Sequence, residues 1–83
     1  MPYYLYILRC GDDTLYTGIT NDVAKRLAAH RSGKGAKYTR GRGPLRLVYQ
    51  EEWADKSAAL KRELAVKALP REKKLALIQG RFT

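Results

Sequence analysis

The pattern that most constrains the fold lies at the start of the chain, where two runs of strand-forming residues flank a turn signal. The first run, Tyr3 to Leu8, is aromatic and branched, and the second extends from Thr14 to Gly18. Side chains of these types favour extended backbone in a sheet. Gly11-Asp12-Asp13 between the runs is typical of a turn. The chain is therefore predicted to begin with a β-hairpin.

A helix and a third strand are predicted next. Asn21 or Asp22 can cap a helix that ends at about Arg31, just before Ser32-Gly33. Further along, the segment from Leu45 to Trp53 again has the composition of a strand. The predicted sheet therefore has three antiparallel strands.

Two helices are predicted to close the chain. Between Lys56 and Leu69, the residues Leu60, Leu64 and Ala68 recur every four positions, behind a cap at Asp55 or Ser57. Pro70 begins a short last helix that Gly80 closes. The predicted order is ββαβαα, an α+β fold in which helices flank a small three-stranded antiparallel sheet.

Length and cysteine content limit the organisation. The 83 residues are expected to form one domain, 1–83, with a modest core. The single cysteine, Cys10, cannot form an internal disulfide, and no Cys/His cluster has zinc spacing, so a cytoplasmic location is expected. The apolar run Tyr3 to Leu8 is too short to span a bilayer, so no membrane partner is expected.

The charge of the chain points to a polyanionic partner. There are 17 Lys and Arg against 8 Asp and Glu, a net charge of +9. Nucleic acid is the simplest partner, although anionic lipid or solubility alone would also suit this charge. No acidic residue lies between Asp22 and Glu51, whereas eight basic residues do: Lys25, Arg26, Arg31, Lys34, Lys37, Arg40, Arg42 and Arg46.

The segment from Arg31 to Gly43, hereafter the basic loop, mixes these cations with glycines and one tyrosine. Glycines let a backbone approach phosphates closely, and Tyr38 could stack on a base. The loop lacks the spacing of a Walker A motif. A solvated, flexible loop is the alternative. The predicted nucleic-acid contacts are Arg31, Lys34, Lys37, Tyr38, Arg40 and Arg42.

Four polar side chains are brought near the predicted sheet. Arg26 and His30 lie four residues apart, so on a helix they share one face at the rim of the sheet. Tyr6 and Tyr16 lie on the paired strands of the hairpin. Taken alone, the helix pair is typical of a surface pairing and the tyrosines of strand packing.

An ordered set of motifs resembles the GIY-YIG nuclease superfamily. Leu5-Tyr6-Ile7 stands for the first triplet and Tyr16-Thr17-Gly18 for the second, and these are followed by Arg26, His30 and a late Glu63. Over essentially the whole chain, the sequence looks like the small stand-alone, single-domain bacterial branch, the UPF0213-like proteins. It is also similar to the nuclease domain of an endonuclease that cuts branched DNA with a partner subunit.

The resemblance implies metal-assisted hydrolysis of DNA phosphodiesters by a GIY-YIG nuclease fold. Glu63 looks like the metal ligand, for Mg²⁺ or Mn²⁺. Arg26 resembles the arginine that holds the scissile phosphate. Tyr6 resembles the tyrosine that takes a proton from the attacking water, and Tyr16 the tyrosine that orients water or phosphate. His30 would accept the proton of the tyrosine or hold it in place.

Two departures from the pattern of the superfamily keep a second class of function open. Ile19 and Thr20 follow Gly18 where related excision nucleases carry a lysine, and residues 75–78 are apolar where many members carry an asparagine, with Gln79 as a substitute. The leading expectation is a structure-selective DNA endonuclease of repair or recombination, whose specificity comes from DNA shape or from a protein partner. The alternatives are a non-catalytic DNA- or RNA-binding module and a ribosome-associated protein.

Overall fold

Six elements follow one another in the order ββαβαα in a computed structural model that describes residues 2–34 and 39–80. The strands are β1 (Tyr3–Arg9), β2 (Leu15–Thr20) and β3 (Arg46–Trp53), and the helices are α1 (Val23–Arg31), α2 (Lys56–Lys67) and α3 (Arg71–Ile78). The predicted order and α+β class are confirmed. In the described ranges, no helix is both long and apolar enough to cross a bilayer.

The first strand is the centre of the sheet. The strand order is β2-β1-β3, and both pairings are antiparallel. Four consecutive residues of β1, Leu5 to Leu8, are buried, because both faces of this strand are covered. Leu5 and Ile7 pack with Val66 and Leu77 of the C-terminal helices.

The opposite face of β1 carries Tyr6 and Leu8. These side chains form a second buried cluster with Cys10 and Leu45, and Leu27 of α1 packs against it. Helix α1 thus covers the face of the sheet from which Tyr6 projects, whereas α2 and α3 pack on the other face.

Two of the three predicted helix starts carry a side-chain cap, those of α1 and α2. Asp22 accepts a hydrogen bond from the backbone N–H of Lys25 at 3.0 Å, and Asp55 accepts one from Ala58 at 2.9 Å. An aspartate in extended backbone at this position satisfies a donor that the first helical turn leaves unpaired. Of each predicted pair of caps, the aspartate is the one used.

The buried face of α2 differs from its leucine repeat. Leu64 is 70% exposed and Leu60 41% exposed, whereas Ala59 and Val66 are fully buried. Ala59, Glu63 and Val66 lie at i, i+4 and i+7 and so share one face of the helix. Because small Ala59 lets the helix approach the sheet, this face packs inward and the leucines point outward. Glu63 therefore lies on the stripe that faces the sheet.

Candidate active site

Tyr6 and His30 form the buried centre of the site. The Tyr6 side chain projects from the central strand, and its hydroxyl lies 2.8 Å from Nε2 of His30 in the last turn of α1. Both residues are only 2% exposed. The sequence predicts that His30 lies at the rim of the sheet, but the structure places it on the buried face of α1, in direct contact with Tyr6 of β1.

Arg26 and Tyr16 adjoin this pair. The guanidinium of Arg26, one helical turn before His30, lies near both tyrosine side chains and interacts with them electrostatically. The Tyr16 ring is centred 6.3 Å from the Tyr6 ring and 5.3 Å from the His30 ring, meeting the imidazole edge-on. Two tyrosines, one arginine and one histidine therefore meet at one point.

Gly18 makes room for the Tyr6 hydroxyl. The two residues are direct partners across the β1–β2 pairing. A Cβ atom on Gly18 would lie 2.7 Å from the Tyr6 hydroxyl oxygen, 2.8 Å from its Cζ and 3.1 Å from Cε2 of Tyr16. These distances are well inside van der Waals contact. The glycine of the Tyr-Thr-Gly motif is thus required by side-chain packing.

The buried pair is electrically neutral at neutral pH. Burial raises the pKa of the Tyr6 phenol above its ordinary value, and the neighbouring Arg26 opposes this only in part. Burial, followed by the charge of Arg26, lowers the pKa of His30. Tyr6 is therefore a protonated phenol and His30 a neutral imidazole, a pair that can pass a proton from the phenol to the ring.

Glu63 lies on α2, which packs on the other face of the sheet, and it acts on Tyr6 through its charge. Its side chain is 16% exposed, and one carboxylate oxygen lies 3.4 Å from Nζ of Lys67, one turn further along the helix. The carboxylate is close enough to Tyr6 to disfavour the phenolate through like-charge repulsion, which contributes to the raised pKa of that phenol. Glu63 therefore belongs to the same electrostatic environment as Tyr6.

An ion pair fixes α2 against the sheet beside Glu63. The Arg62 Nε donates to Oε1 of Glu51 on β3 at 2.7 Å, and the same oxygen accepts from Nε1 of Trp53 at 2.8 Å. Burial opposes ionisation of Glu51, but donors from Tyr49, Arg62 and Trp53 hold its pKa below the ordinary value. This pair fixes the rotation of α2 that turns Glu63 inward.

The oxygen ligands that the protein offers fit a divalent ion that is held mainly by oxygens of the bound nucleic acid. In the parts of the chain that the structure describes, no group of three or more His, Cys, Asp and Glu side chains could enclose a metal. A single carboxylate such as Glu63 suits Mg²⁺ or Mn²⁺, since these ions retain waters and take oxygen ligands from phosphate. The residues present therefore fit a metal that binds together with nucleic acid.

Two cations of the basic loop are bonded to other parts of the protein, and two others are exposed. Arg31 donates to the backbone oxygen of Leu45, at 3.2 Å from Nη2, and Arg42 pairs with Asp12 in the hairpin turn. Lys34 and Arg40 are exposed. The remaining two predicted nucleic-acid contacts, Lys37 and Tyr38, lie outside the described residues.

Thr39 is the site residue that the sequence does not reveal. It is 3% exposed, and its Oγ1 lies 2.8 Å from Nδ1 of His30. A threonine among loop cations carries no periodic signal, so nothing local marks it as buried. In the sequence, only its position between Tyr38 and Arg40, two residues predicted to contact nucleic acid, associates Thr39 with the site.

Comparison with known proteins places this geometry in a family. The model of the GIY-YIG catalytic domain matches residues 2–76. A UPF0213 protein of Oceanobacillus iheyensis is 53% identical over 77 residues, which are 93% of this chain and 90% of that protein.

Two solved structures are also similar. The solution NMR structure of a UPF0213 protein from Bacillus halodurans has 52% identity and a TM-score of 0.62, over 95% of this chain and 84% of that one. An E. faecalis protein solved by NMR has 36% identity and a TM-score of 0.67, over 96% and 85% of the two chains. The resemblance stated from the motifs is confirmed: the chain belongs to the GIY-YIG family of nuclease domains, among its small UPF0213 proteins.

Proposed function

We propose that this protein is a metal-dependent endonuclease that hydrolyses DNA phosphodiester bonds. One observation carries the proposal: the Tyr6 hydroxyl lies 2.8 Å from His30 Nε2 and close to the positive charge of Arg26. A phenol next to these two groups can move a proton beside a site that attracts phosphate. Tyr16 packs near both rings, and the charge of Glu63 acts on Tyr6 from α2, which supports the roles that the family resemblance implies for them.

The proton path follows from the two neutral groups. As the oxygen of the attacking water forms its bond to phosphorus, Tyr6 takes the water proton and passes its own proton to Nε2 of His30. The bond from phosphorus to the leaving oxygen breaks, its electron pair stays on that oxygen, and solvent supplies the proton. Because the imidazole receives the proton, no standing phenolate is needed despite the raised pKa of Tyr6.

Arg26 acts on charge rather than on protons. Its guanidinium is always protonated and presents planar donors that match phosphate oxygens. Such donors stabilise the negative charge that grows on the phosphate in the transition state. Tyr16, at the same guanidinium, orients the water or the phosphate.

Glu63 would hold the divalent ion together with oxygens of the substrate. When bound, Mg²⁺ or Mn²⁺ supplies Lewis-acid stabilisation of charge on the phosphate. Lys67, 3.4 Å from Glu63, balances the carboxylate in the unbound protein. The proposed role predicts weak metal binding without nucleic acid.

The substrate is recognised mainly through its phosphates. Lys34 and Arg40 are exposed on the basic loop, and such cations give affinity that depends on salt. A domain this small offers little surface for reading bases, so selectivity would come from DNA shape, as in branched or nicked repair and recombination intermediates, or from a protein partner. The proposed setting is the cytoplasm.

The test is cleavage of labelled single-stranded, duplex, nicked, flap and four-way-junction DNA, with Mg²⁺, with Mn²⁺ and with EDTA. Glu63→Gln removes the charge and keeps the shape, and Glu52→Gln makes the same change at an exposed position of β3. We expect metal-dependent cutting that Glu63→Gln reduces by at least about a hundredfold while DNA binding persists. The Glu52→Gln variant should cut like the wild type.

Binding without cutting is the opposing result. If the wild-type protein binds these DNAs and cleaves none of them with either metal, the nuclease proposal is wrong. The departures at Ile19 and Thr20 would then mark a nucleic-acid-binding module that retains the fold.

A further inference from the structure

Thr39 is a buried polar residue in a loop whose other described residues are mostly exposed. Its hydroxyl meets the ring nitrogen of His30 that faces away from Tyr6, with Oγ1 2.8 Å from Nδ1. The three side chains therefore form a hydrogen-bonded chain from Tyr6 through His30 to Thr39, and the bonded oxygen and nitrogen atoms are 2.8 Å apart at each step. Thr39 is not among the residues that the family motifs single out.

The donors and acceptors of this hydrogen-bonded chain can be arranged in two ways. A neutral imidazole has one N–H donor and one acceptor nitrogen. Either Nδ1–H donates to Thr39 while Nε2 accepts from the Tyr6 hydroxyl, or Nε2–H donates to Tyr6 while Nδ1 accepts from the threonine.

The chemistry of the two hydroxyls favours the first arrangement. A phenol O–H is a stronger donor and a weaker acceptor than an aliphatic hydroxyl, so the Tyr6 hydroxyl donates to Nε2, 2.8 Å away. The proton of the ring is then on Nδ1, and the Thr39 hydroxyl accepts it at 2.8 Å. Without that hydroxyl, the buried Nδ1–H would lose this acceptor, which opposes this tautomer.

The backbone around Thr39 holds it in place. Its carbonyl oxygen accepts from the N–H of Arg42 at 3.2 Å, and the Arg42 carbonyl accepts from the N–H of Gly11 in the hairpin turn. A Cβ atom on Gly11 would lie 2.1 Å from the Gly43 oxygen, so this contact between loop and turn requires glycine. The turn of the hairpin thus fixes the end of the basic loop from which Thr39 reaches the histidine.

We infer that Thr39 is a positioning residue that fixes His30 as its Nδ1–H tautomer and leaves the Nε2 lone pair directed at Tyr6. The tautomer is a property of the free protein, whereas its effect on turnover rests on the proposed function. Since Thr39 belongs to the basic loop, the segment proposed to contact DNA also orients the group that receives the proton.

The tautomer is directly measurable. His30 is the one histidine in the sequence, so ¹⁵N NMR of the labelled imidazole needs no assignment. In the wild-type protein at pH 7.5 we expect a protonated Nδ1 and an unprotonated Nε2. Thr39→Val, which lacks the acceptor oxygen, should give a mixture of tautomers, and Thr39→Ser should restore the wild-type pattern.

Cleavage kinetics provide the second measurement. Thr39→Val should lower kcat by about tenfold to a hundredfold, a share of the rate that general-base catalysis supplies, with KM for DNA little changed. Thr39→Ser should recover most of the rate. A merely structural role would not produce this recovery together with a tautomer change.

The outcomes separate the two proposals. A wild-type spectrum with Nε2 protonated overturns the inference, as does Thr39→Val with an unchanged tautomer. If Thr39→Val does not fold, Thr39→Ala makes the same test without the hydroxyl, and the wild-type spectrum still decides the tautomer. If the wild-type protein cuts no DNA, the proposed function fails while the spectrum alone decides the inference.

Discussion

Replacing Gly18 with alanine should disable the site while the backbone remains nearly unchanged. The new methyl group would lie 2.7 Å from the Tyr6 hydroxyl oxygen and 2.8 Å from its Cζ. Ordinary contact requires about 3.4 Å or more, so the end of the phenol must move by about 0.7 Å. Tyr6 is only 2% exposed, so the side chains packed around its ring resist this movement.

The magnitude follows from three effects. Overpacking in a core costs about 1–3 kcal/mol, and stretching the 2.8 Å bond to His30 costs about 0.5–1.5 kcal/mol more. Alanine in a strand regains about 0.5–1 kcal/mol over glycine. We therefore expect the free energy of unfolding to fall by about 2 kcal/mol. A displacement of this size should also lower kcat by about a hundredfold.

Urea unfolding and single-turnover cleavage measure the two quantities. Gly43→Ala is the matched control, because a Cβ atom there meets no heavy atom of the described residues within 4 Å. It should change the free energy of unfolding by less than about 0.5 kcal/mol and leave the single-turnover cleavage rate at saturating DNA unchanged. A Gly18→Ala variant with wild-type stability and wild-type kcat would refute the reasoning that the Tyr6 ring can pack in its observed position only beside a glycine.

Three further predictions concern protonation, the faces of α2 and salt. Burial, followed by the charge of Arg26, lowers the pKa of His30, so as the pH falls the imidazole is protonated in the unfolded chain before it is protonated in the folded protein. The free energy of unfolding, measured by urea titration, should therefore fall as the pH drops below about 6.5. In His30→Gln this dependence on pH should be weaker. Val66→Ala, at a fully buried position, should lower the free energy of unfolding by about 2 kcal/mol, measured by the same method. Leu64→Gln, at a position that is 70% exposed, should lower it by less than about 0.5 kcal/mol. Equal losses of stability would contradict the orientation of α2. Arg40→Ala should reduce the slope of log affinity for DNA against log salt by about one, measured by fluorescence anisotropy, and an unchanged slope would remove this residue from the contact.

Local patterns predict the order of elements because each pattern acts within a few residues. A turn signal between two aromatic runs makes a hairpin wherever it lies, and an aspartate before an apolar stripe caps a helix. Asp22 and Asp55 illustrate this, since each accepts its hydrogen bond from the third residue that follows.

The rotation of α2 illustrates where such reasoning fails. The leucines at 60 and 64 have the spacing of a buried stripe, yet the helix turns Ala59 and Val66 to the sheet. Which face packs inward depends on the shape of the sheet beneath it and on the pair between Arg62 and Glu51, 11 residues apart. Neither is visible in a window of one helix. The same rotation turns Glu63 inward.

The sequence by itself determined the fold class, the element order and the motif residues Tyr6, Tyr16, Arg26, His30 and Glu63, because strand and helix preferences are local and the motifs have a fixed order. Tertiary structure alone decided that the Tyr6 hydroxyl meets His30 Nε2, and that Thr39 meets the other ring nitrogen. These contacts join residues 24 and 9 positions apart through a loop and a sheet. Their geometry follows from long-range packing, which brings the three side chains together only once the whole chain has folded.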